Sequence, residues 1–395
     1  MRRLFSKRQI CRLLVGIALA FGLQLFSSCL SSQAPPAATD EAIRIGVLTS
    51  LSGDDQDIGR VTVDAAQLAT DEVNAAGGLK LGGRSHLVKL VIGDTESTPE
   101  GAIRSAQTLI NQENVVAIIG PQYSRYAIPV SRLAEQAKIP MISPRSTNPE
   151  TTLGKTYVFR AIFTDSFQGE VIARFAREEL QAETAAILYD IASPYNRGIA
   201  TVFEQVFTEL GGKVVAFEDY TTGTDDFSEQ LQQIQASQPQ ILFLPNYENE
   251  IPQQAAQARR LGIKATLLGS DAWGSMQDQD WQGLEGAYYS DHYTADSGNP
   301  ATQAFIDKFI NVYNYLPPAG AAATYDSFGI LFKAMENQES SQPQAIRDGI
   351  ATLGIYQGVT GQIEYQNSGN PIVSVAIQKV EAGQAVFYKQ IQPQD

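Results

Sequence analysis

The chain is poor in the side chains that most metal and redox sites use. Of its 395 residues only two are cysteines, Cys11 and Cys29, and only two are histidines, His86 and His292. Both cysteines precede residue 30, so the rest of the chain can form neither a disulfide nor a thiolate metal site. Each histidine lacks a second ligand nearby in the sequence, and we expect both to be surface residues. We therefore predict no metal and no cofactor.

Motifs of three common enzyme classes are also missing. Residues 46–53 do not carry the G-x-G-x-x-G pattern of a dinucleotide-binding turn. A phosphate-binding loop ending at Gly154-Lys155-Thr156 fails because Pro149 stands where its first glycine is needed. No G-x-S-x-G motif of a serine hydrolase is present. We therefore expect a protein that binds a ligand and is not an enzyme.

Positive charge is scarce outside the N-terminus. The formal net charge is −14, and residues 1–28 hold five basic side chains and no acid, so removing them would leave about −19. Such a charge argues against a nucleic-acid partner. A transcriptional regulator would in addition carry a helix-turn-helix before its ligand domain, where this chain has an apolar segment.

The N-terminus is typical of an export signal. A basic stretch precedes an apolar run at 13–26 that is shorter than the roughly 20 residues a membrane-spanning helix needs. The segment LFSSC at 25–29 resembles the lipobox of bacterial lipoproteins, which implies a lipid on Cys29; an ordinary signal peptide is the alternative. We predict a signal peptide at 1–28 and a disordered tether at 29–42, rich in Ser, Ala and Pro.

From residue 43 onwards, short apolar runs alternate with longer helical patterns, which predicts an α/β fold with parallel sheets covered on both faces. The predicted strands are 43–49, 87–92, 115–119, 140–143, 185–189, 214–218, 241–244, 265–268, 361–365 and 373–379. The predicted helices are 61–76, one opening at 98–100, 124–137, 167–180, 196–210, 227–237, 252–261, 302–313, 321–337 and 342–353.

The order of elements changes after Gly286, where three helices are followed by two strands. This indicates that the chain returns to complete domains begun earlier. We expect two doubly wound, Rossmann-like lobes, the first of residues 43–161 plus 293–362 and the second of 162–292 plus 363–395. Several crossings would form a hinge with a central cleft, and ligands of open parallel sheets bind beyond the carboxyl ends of the strands.

Several short motifs occur in the order and spacing of a known group of proteins. They are GVL at 46–48, LSG at 51–53, NAAGG at 74–78, Asp94 with Pro99 and Ala102, AIIGP at 117–121, ISP at 142–144 and STNP at 146–149. On these motifs the chain resembles the branched-chain amino-acid binding proteins of the type I periplasmic binding protein family. These are receptor components of ABC importers, and members bind amino acids, amides, urea or aromatic acids.

The resemblance implies where an amino acid would lie. Ser124, Ser146 and Thr147 match positions that hold the ligand carboxylate, and hydroxyls and amides at a helix start suit an anion. Ser124 could equally be a plain helix cap, and Thr147 a turn residue. Asp271 matches the acid that receives the ammonium, although it could be a solvated loop acid.

Aromatic residues would form the wall of the same site. Tyr195 and Tyr247 match wall positions in the family, where rings could stack on the ligand or donate through the hydroxyl. Tyr123, directly before Ser124, is a further candidate for the site. Tyr325 and Trp273 are weaker candidates, and Trp273 could instead belong to a rim that faces the permease.

Some residues depart from the family pattern. Ile58 stands where branched-chain binders commonly have an aromatic residue. Arg145 flanks the expected carboxylate site; if it points into the cleft, a second ligand carboxylate or another anion is implied, whereas the orientation we favour is outward into solvent. Asp94 is expected to have a structural role at a strand end.

These features predict a lipid-anchored receptor in the periplasm or at the outer face of the cytoplasmic membrane. It would capture an amino acid or a related small polar solute by hinge closure and deliver it to the membrane permease of an ABC importer. A lipid-anchored sensor that presents amides, urea or carboxylic acids to a membrane signalling receptor is the alternative. The ligand itself is left open.

Overall fold

A computed structural model describes residues 42–276, 281 and 283–393. The predicted signal peptide, Cys29, which is predicted to be lipidated, and nearly all of the predicted tether lie outside the described residues. Within the described part of the chain, no helix has both the length and the hydropathy needed to cross a membrane.

Strands and helices alternate through most of the described chain. The strands are β1 (Ile43–Thr49), β2 (Leu79–Leu81), β3 (Arg84–His86), β4 (Val88–Asp94), β5 (Ala117–Ile119), β6 (Met141–Ser143), β7 (Val158–Arg160), β8 (Thr184–Asp190), β9 (Lys213–Tyr220), β10 (Ile241–Leu244), β11 (Thr266–Gly269), β12 (Tyr288–Asp291), β13 (Gly354–Gln357), β14 (Gln362–Tyr365), β15 (Val375–Glu381) and β16 (Gln384–Ile391). The helices are α1 (Gln56–Ala75), α2 (Pro99–Asn111), α3 (Ser124–Ala137), α4 (Asp165–Arg174), α5 (Pro194–Glu209), α6 (Ser228–Ser237), α7 (Ile251–Arg260), α8 (Pro300–Tyr313), α9 (Ala319–Asn337) and α10 (Pro343–Ala351).

Two larger sheets organise the fold. The first sheet has the order β4-β1-β5-β6-β7, and all its strand pairs are parallel. The second sheet has the order β16-β15-β12-β11-β10-β8-β9, with β15 and β16 antiparallel to their neighbours and the other pairs parallel. Strands β5, β6 and β10 are buried along their whole length, as expected for sheets with helices on both faces. The predicted α/β class is confirmed.

Some elements escaped the sequence prediction. Helix α1 begins at Gln56, five residues before the predicted start at 61, because its first turn is polar and shows no apolar period. Its contact with the loop after β1 is nonetheless tight, since a Cβ on Gly59 would lie 1.5 Å from the Ser50 carbonyl oxygen. Strands β2, β3 and β7 have three residues each, too short to show a period of two.

The chain passes from the neighbourhood of one sheet to the other after β7, after β12 and after β14. The Arg160 side chain, at the end of β7, connects the first of these passages to the third by hydrogen bonds. Its side chain donates to the carbonyl of Asn148 over 2.8 Å and, through Nε, to Asn370 Oδ1 over 2.8 Å. This side chain is fully buried, so its donors are satisfied inside the protein.

His292 follows β12 directly and is not the surface residue predicted from the sequence. Its ring is buried, with Nδ1 3.1 Å from Asp291 Oδ1 and Nε2 3.3 Å from the Ala319 carbonyl oxygen. A solitary histidine between polar segments carries no local signal of burial. Here the ring is buried where the chain passes from β12 towards the first sheet, in contact with Ala319. His86 in β3 is partly exposed, as expected for a surface residue.

Candidate ligand-binding site

The carboxyl ends of strands from both sheets supply one group of side chains. These side chains follow β5 and β6 of the first sheet and β8, β10 and β11 of the second. They enclose a cavity of about 10 Å³, roughly the space that one water needs. The lining residues are Gln122, Tyr123, Ser124, Arg145, Tyr195, Tyr247, Asp271 and Ala272. The expectation that the site lies beyond the carboxyl ends of the strands agrees with this placement.

The loop after β5 places Ser124 at the beginning of α3. Gly120 makes this possible, because its φ is +100° and a Cβ there would lie 2.2 Å from the Leu48 carbonyl oxygen. The Ser124 hydroxyl lies 2.9 Å from that of Ser146, which contacts Thr151 Oγ1 at 2.6 Å. The first turn of α3 therefore combines hydroxyls with a helix N-terminus, a setting that favours an anion.

Asp271 follows β11 and is held from two sides. Its Oδ1 accepts from the Tyr195 hydroxyl over 2.7 Å and from Gln168 Nε2 over 2.8 Å, and the residue is 2% exposed. Burial, together with the Asp271 carboxylate, raises the pKa of Tyr195 well above its ordinary value, so the phenol stays a donor. A buried carboxylate oriented in this way is suited to a cation.

Arg145 follows β6 and points into the cleft, so the outward orientation that we favoured from the sequence is wrong. It is 5% exposed, and it donates through Nη2 to the Asp271 carbonyl over 2.7 Å and through Nη1 to Ser275 Oγ over 2.5 Å. In the described part of the chain, the nearest carboxylate oxygen is Asp271 Oδ2, 3.5 Å from Nη2. Burial acts to lower the pKa of Arg145, but the nearby acids, Asp271 first, raise it above its ordinary value.

Three tyrosines form a wall that crosses the cleft. The Tyr123 and Tyr247 rings lie 4.4 Å apart between centroids, and Tyr195 stacks on Tyr247 at 5.1 Å. The Tyr123 hydroxyl donates to Glu248 Oε1 over 2.5 Å. The Arg125 guanidinium lies 4.5 Å from the Tyr247 ring centroid. Contacts between the two sets of strand ends therefore close the cavity.

Other predicted site residues lie away from the cavity lining. Ser146 and Thr147 are buried behind Ser124. Trp273 is fully buried with its indole Nε1 donating to the Leu244 carbonyl over 3.1 Å, so it forms no rim. Tyr325 is not brought to the cavity either, because it packs against Phe305 and its hydroxyl contacts Glu72 in α1. The sequence does not distinguish an aromatic residue that packs in a core from one that lines a cavity.

Two further positions have the roles that the sequence suggested or left open. Asp94 accepts from the backbone N–H groups of Leu51 and Glu96, each over 2.8 Å, at the end of β4, which is the structural role predicted. Ile58 is buried in α1, and its side chain lies beside Gly320 at the start of α9.

Sequence reasoning did not assign roles to Gln122, Ala272, Gln168 or Ser275. Gln122 lines the cavity, and its Oε1 lacks a hydrogen-bond partner. Its place directly after Gly120-Pro121, at a strand end, was the signal that could have identified it. Gln168 sits inside α4 and reaches Asp271 from 103 residues away, and no local pattern marks such a contact. Within the described residues, no group of three or more His, Cys, Asp or Glu side chains could hold a metal ion.

Known proteins share this fold over most of its length. The sequence profile of the periplasmic binding protein family matches residues 42–385. Leucine-binding protein LivK from Thermotoga maritima has a TM-score of 0.83 at 31% identity, covering 89% of this chain and 99% of that chain. LivJ from Streptococcus pneumoniae, a branched-chain amino acid transporter substrate-binding protein in complex with isoleucine, has a TM-score of 0.82 at 28% identity, covering 89% and 100%.

Sequence relatives agree with the structural neighbours. A leucine-, isoleucine-, valine-, threonine- and alanine-binding protein of Pseudomonas aeruginosa is 25% identical over 84% of this chain and 87% of its own length. The fold and the family match define a substrate-binding protein of the ABC-transporter type, which is a receptor and not an enzyme. The chain belongs to the periplasmic binding protein family, whose members are extracytoplasmic.

Proposed function

We propose that this protein captures an amino acid between two lobes and delivers it to the membrane permease of an ABC importer. In this proposal residues 43–161 plus 293–362 form the first lobe, and residues 162–292 plus 363–395 form the second. Cys29, once lipidated, would anchor the protein at the outer face of the cytoplasmic membrane, and the chain from 29 to 42 would act as its tether.

One observation carries the amino-acid assignment: a buried carboxylate faces the same small cavity as a helix start that carries hydroxyls. Asp271 supplies the carboxylate, with its orientation set by Tyr195 and Gln168. Ser124 begins α3 on the opposite side. An α-amino acid presents an ammonium and a carboxylate on one carbon, which matches an acid and an anion-binding helix start across a narrow cleft.

Closure would follow from contacts that the ligand makes with both lobes. The cavity of about 10 Å³ is too small for an amino acid, so the ligand must enter when the lobes are farther apart. A ligand that contacts Ser124 and Asp271 together binds the closed arrangement more tightly than an open one and shifts the population towards it. The closed form would then dock on the permease.

Calorimetric titration of the chain from residue 43 with a panel of amino acids tests this function. At least one amino acid should bind, and Asp271→Asn, which keeps the shape and removes the charge, should weaken it at least about 30-fold. Asp307→Asn, at an exposed position in α8, is the matched control and should bind like the wild type.

Small-angle scattering of the same samples tests the closure step. The radius of gyration should fall when the bound amino acid is added to wild-type protein and should not change for Asp271→Asn at the same ligand concentration. If no amino acid binds at millimolar concentration, the amino-acid assignment is wrong. A ligand that binds without any compaction would refute capture by hinge closure.

The anchor is tested separately in cells. Mass spectrometry of membrane-fraction protein should find an acylated N-terminus at Cys29, and Cys29→Ala should release the protein from the membrane. The released variant should still bind its ligand in solution, because the proposed site lies more than ninety residues further along the chain. An unmodified Cys29 in the membrane fraction would refute the lipid anchor.

A further inference from the structure

The Arg145 side chain is buried without a full set of partners. Its two terminal nitrogens contact neutral oxygens of Asp271 and Ser275, and its Nε has no hydrogen-bond partner. Among the described residues, the only carboxylate in contact is that of Asp271, whose Oδ2 is 3.5 Å from Nη2 and whose Oδ1 already accepts from Tyr195 and Gln168. A guanidinium prefers two parallel bonds to a carboxylate, and this one has none.

Among the described residues no other acid forms an ion pair with Arg145, although Glu248 and Asp291 act on it electrostatically and Glu248 Oε2 has no hydrogen-bond partner. Asp55 accepts from Arg125 Nη2 at 2.7 and 2.6 Å, and Glu248 accepts from the Tyr123 hydroxyl. Asp271 is therefore the described carboxylate within ion-pair distance of Arg145, and the contact between them is long. Any amino acid whose ammonium binds Asp271 weakens that contact further and leaves Arg145 in need of an anion.

We propose that Arg145 determines specificity by binding a second, side-chain carboxylate, so that the preferred ligand is an acidic amino acid. This inference rests on the proposed function, with the ammonium at Asp271 and the α-carboxylate at the start of α3. Each charged group of the ligand then has a partner: the ammonium binds Asp271, the α-carboxylate binds neutral donors near Ser124, and the side-chain carboxylate binds the Arg145 guanidinium.

A neutral amino acid would be a poorer fit. Its ammonium and α-carboxylate could be placed in the same way, but the Arg145 guanidinium would stay buried without a partner anion, which is a costly arrangement. A basic amino acid would place a second cation beside Arg145, and like charges at close range in a buried site repel strongly. The side chain at position 145 thus selects for negative charge and against apolar or positive side chains.

Isosteric ligand pairs measure this selectivity directly. Wild-type protein titrated with glutamate and glutamine, and with aspartate and asparagine, should bind one acid at least about 30-fold more tightly than its amide. Leucine and arginine complete the panel and should bind more weakly than that acid. These measurements need no variant, so a folding defect cannot obscure them.

Variants assign the selectivity to Arg145. In Arg145→Gln the ratio between the acid and its amide should fall to nearly 1, mainly through lost affinity for the acid. Arg145→Lys keeps the charge without the planar fork and should give an intermediate ratio. Arg104→Gln is the matched control, since Arg104 lies in α2 and its ion pair with Glu96 is exposed at the surface.

The outcomes separate this inference from the proposed function. If neutral or basic amino acids bind as tightly as the acids, or if the acid-to-amide ratio persists in Arg145→Gln, the inference is refuted while amino-acid capture stands. If Arg145→Gln weakens acids and amides equally, Arg145 holds the α-carboxylate, and the inference is again refuted. If no amino acid of any charge binds, the proposed function itself fails.

Discussion

Two arginine–aspartate contacts lie close together at the cleft and differ in quality. Arg125 makes two bonds to Asp55, at 2.7 and 2.6 Å, and the Tyr126 hydroxyl contacts the same carboxylate. Arg145 reaches Asp271 mainly through the backbone carbonyl, and its nearest carboxylate contact is 3.5 Å. Nε of each arginine lacks a hydrogen-bond partner, so the difference lies in the carboxylate contact, which is short and direct in the first pair and long in the second. This difference separates a structural pair from a candidate binding pair.

A third arginine and aspartate sharpen the contrast because they are buried together without a direct bond between their side chains. Arg160 gives its donors to carbonyl, amide and hydroxyl oxygens. Asp165, at the start of α4, is 1% exposed, and burial raises its pKa to about 8, while the more distant Arg160 acts to lower it. Proximity of opposite charges therefore does not by itself make a pair.

The largest expected effect on stability is at the Arg125–Asp55 pair. Asp55→Asn removes the anion from a largely buried guanidinium and should lower the free energy of unfolding by about 3–5 kcal/mol. Urea unfolding monitored by circular dichroism measures this change. Asp271→Asn should lower the free energy of unfolding by less, because Arg145 keeps its carbonyl and hydroxyl acceptors. Equal losses in the two variants would contradict the comparison.

The raised pKa of Asp165 predicts that the free energy of unfolding depends on pH. Between the unfolded pKa near 3.8 and the folded pKa of about 8, the folded protein holds a proton on Asp165 that the unfolded chain has lost. This group therefore lowers the free energy of unfolding as pH rises through that window, by about 1.4 kcal/mol per pH unit, and the loss levels off above pH 8.

Urea unfolding at pH 5, 6, 7 and 8 tests this dependence. Asp165→Asn should unfold with a shallower pH slope than the wild type, and its advantage should grow from pH 5 to pH 8. Asp307→Asn serves as the control and should keep the wild-type slope. Parallel curves for wild type and Asp165→Asn would show that Asp165 titrates normally.

Substitutions of two tyrosines have the smallest expected effects, and they distinguish a contact that supports ligand binding from one that supports stability. Tyr195→Phe removes the 2.7 Å bond to Asp271 and should weaken amino-acid binding about tenfold, since a hydrogen bond to a charged group contributes about 1.5–3 kcal/mol. Tyr126→Phe removes the equivalent bond to Asp55 and should lower the free energy of unfolding by a similar energy while leaving affinity nearly unchanged. The reverse pattern would mean that the binding and structural pairs are misassigned.

Much of the fold was predictable because the chain has regular periods. Apolar strands such as β1 and β10 and helices such as α3 and α5 were placed within a few residues of their observed bounds. Strands β2, β3 and β7 and the polar strand β12 were missed, since a hydrogen-bonded ladder can hold segments whose sequence shows no pattern. Strands β13 and β16 were not predicted either.

The candidate site was predictable in part for a related reason. Tyr247 and Asp271, which directly follow neighbouring strands of the second sheet, lie close together because parallel strands present their carboxyl ends at one edge. Ser124 follows a strand of the first sheet in the same way, and its meeting with them depends on how the two sheets are placed. Trp273 and Tyr325 also follow or flank such elements, but their rings pack into cores away from the cavity. The direction of a side chain depends on neighbours that are remote in the chain.

The sequence alone determined the alternation of strands and helices, the shortage of metal-binding side chains and the set of loops that could meet at a cleft. These follow from local periodicity and composition. Only the tertiary structure decided that Arg145 faces inward, that Gln168 orients Asp271 and that His292 is buried. The reason is separation along the chain: Arg145 meets its acceptor on Asp271 across 126 residues, a contact that no local pattern encodes.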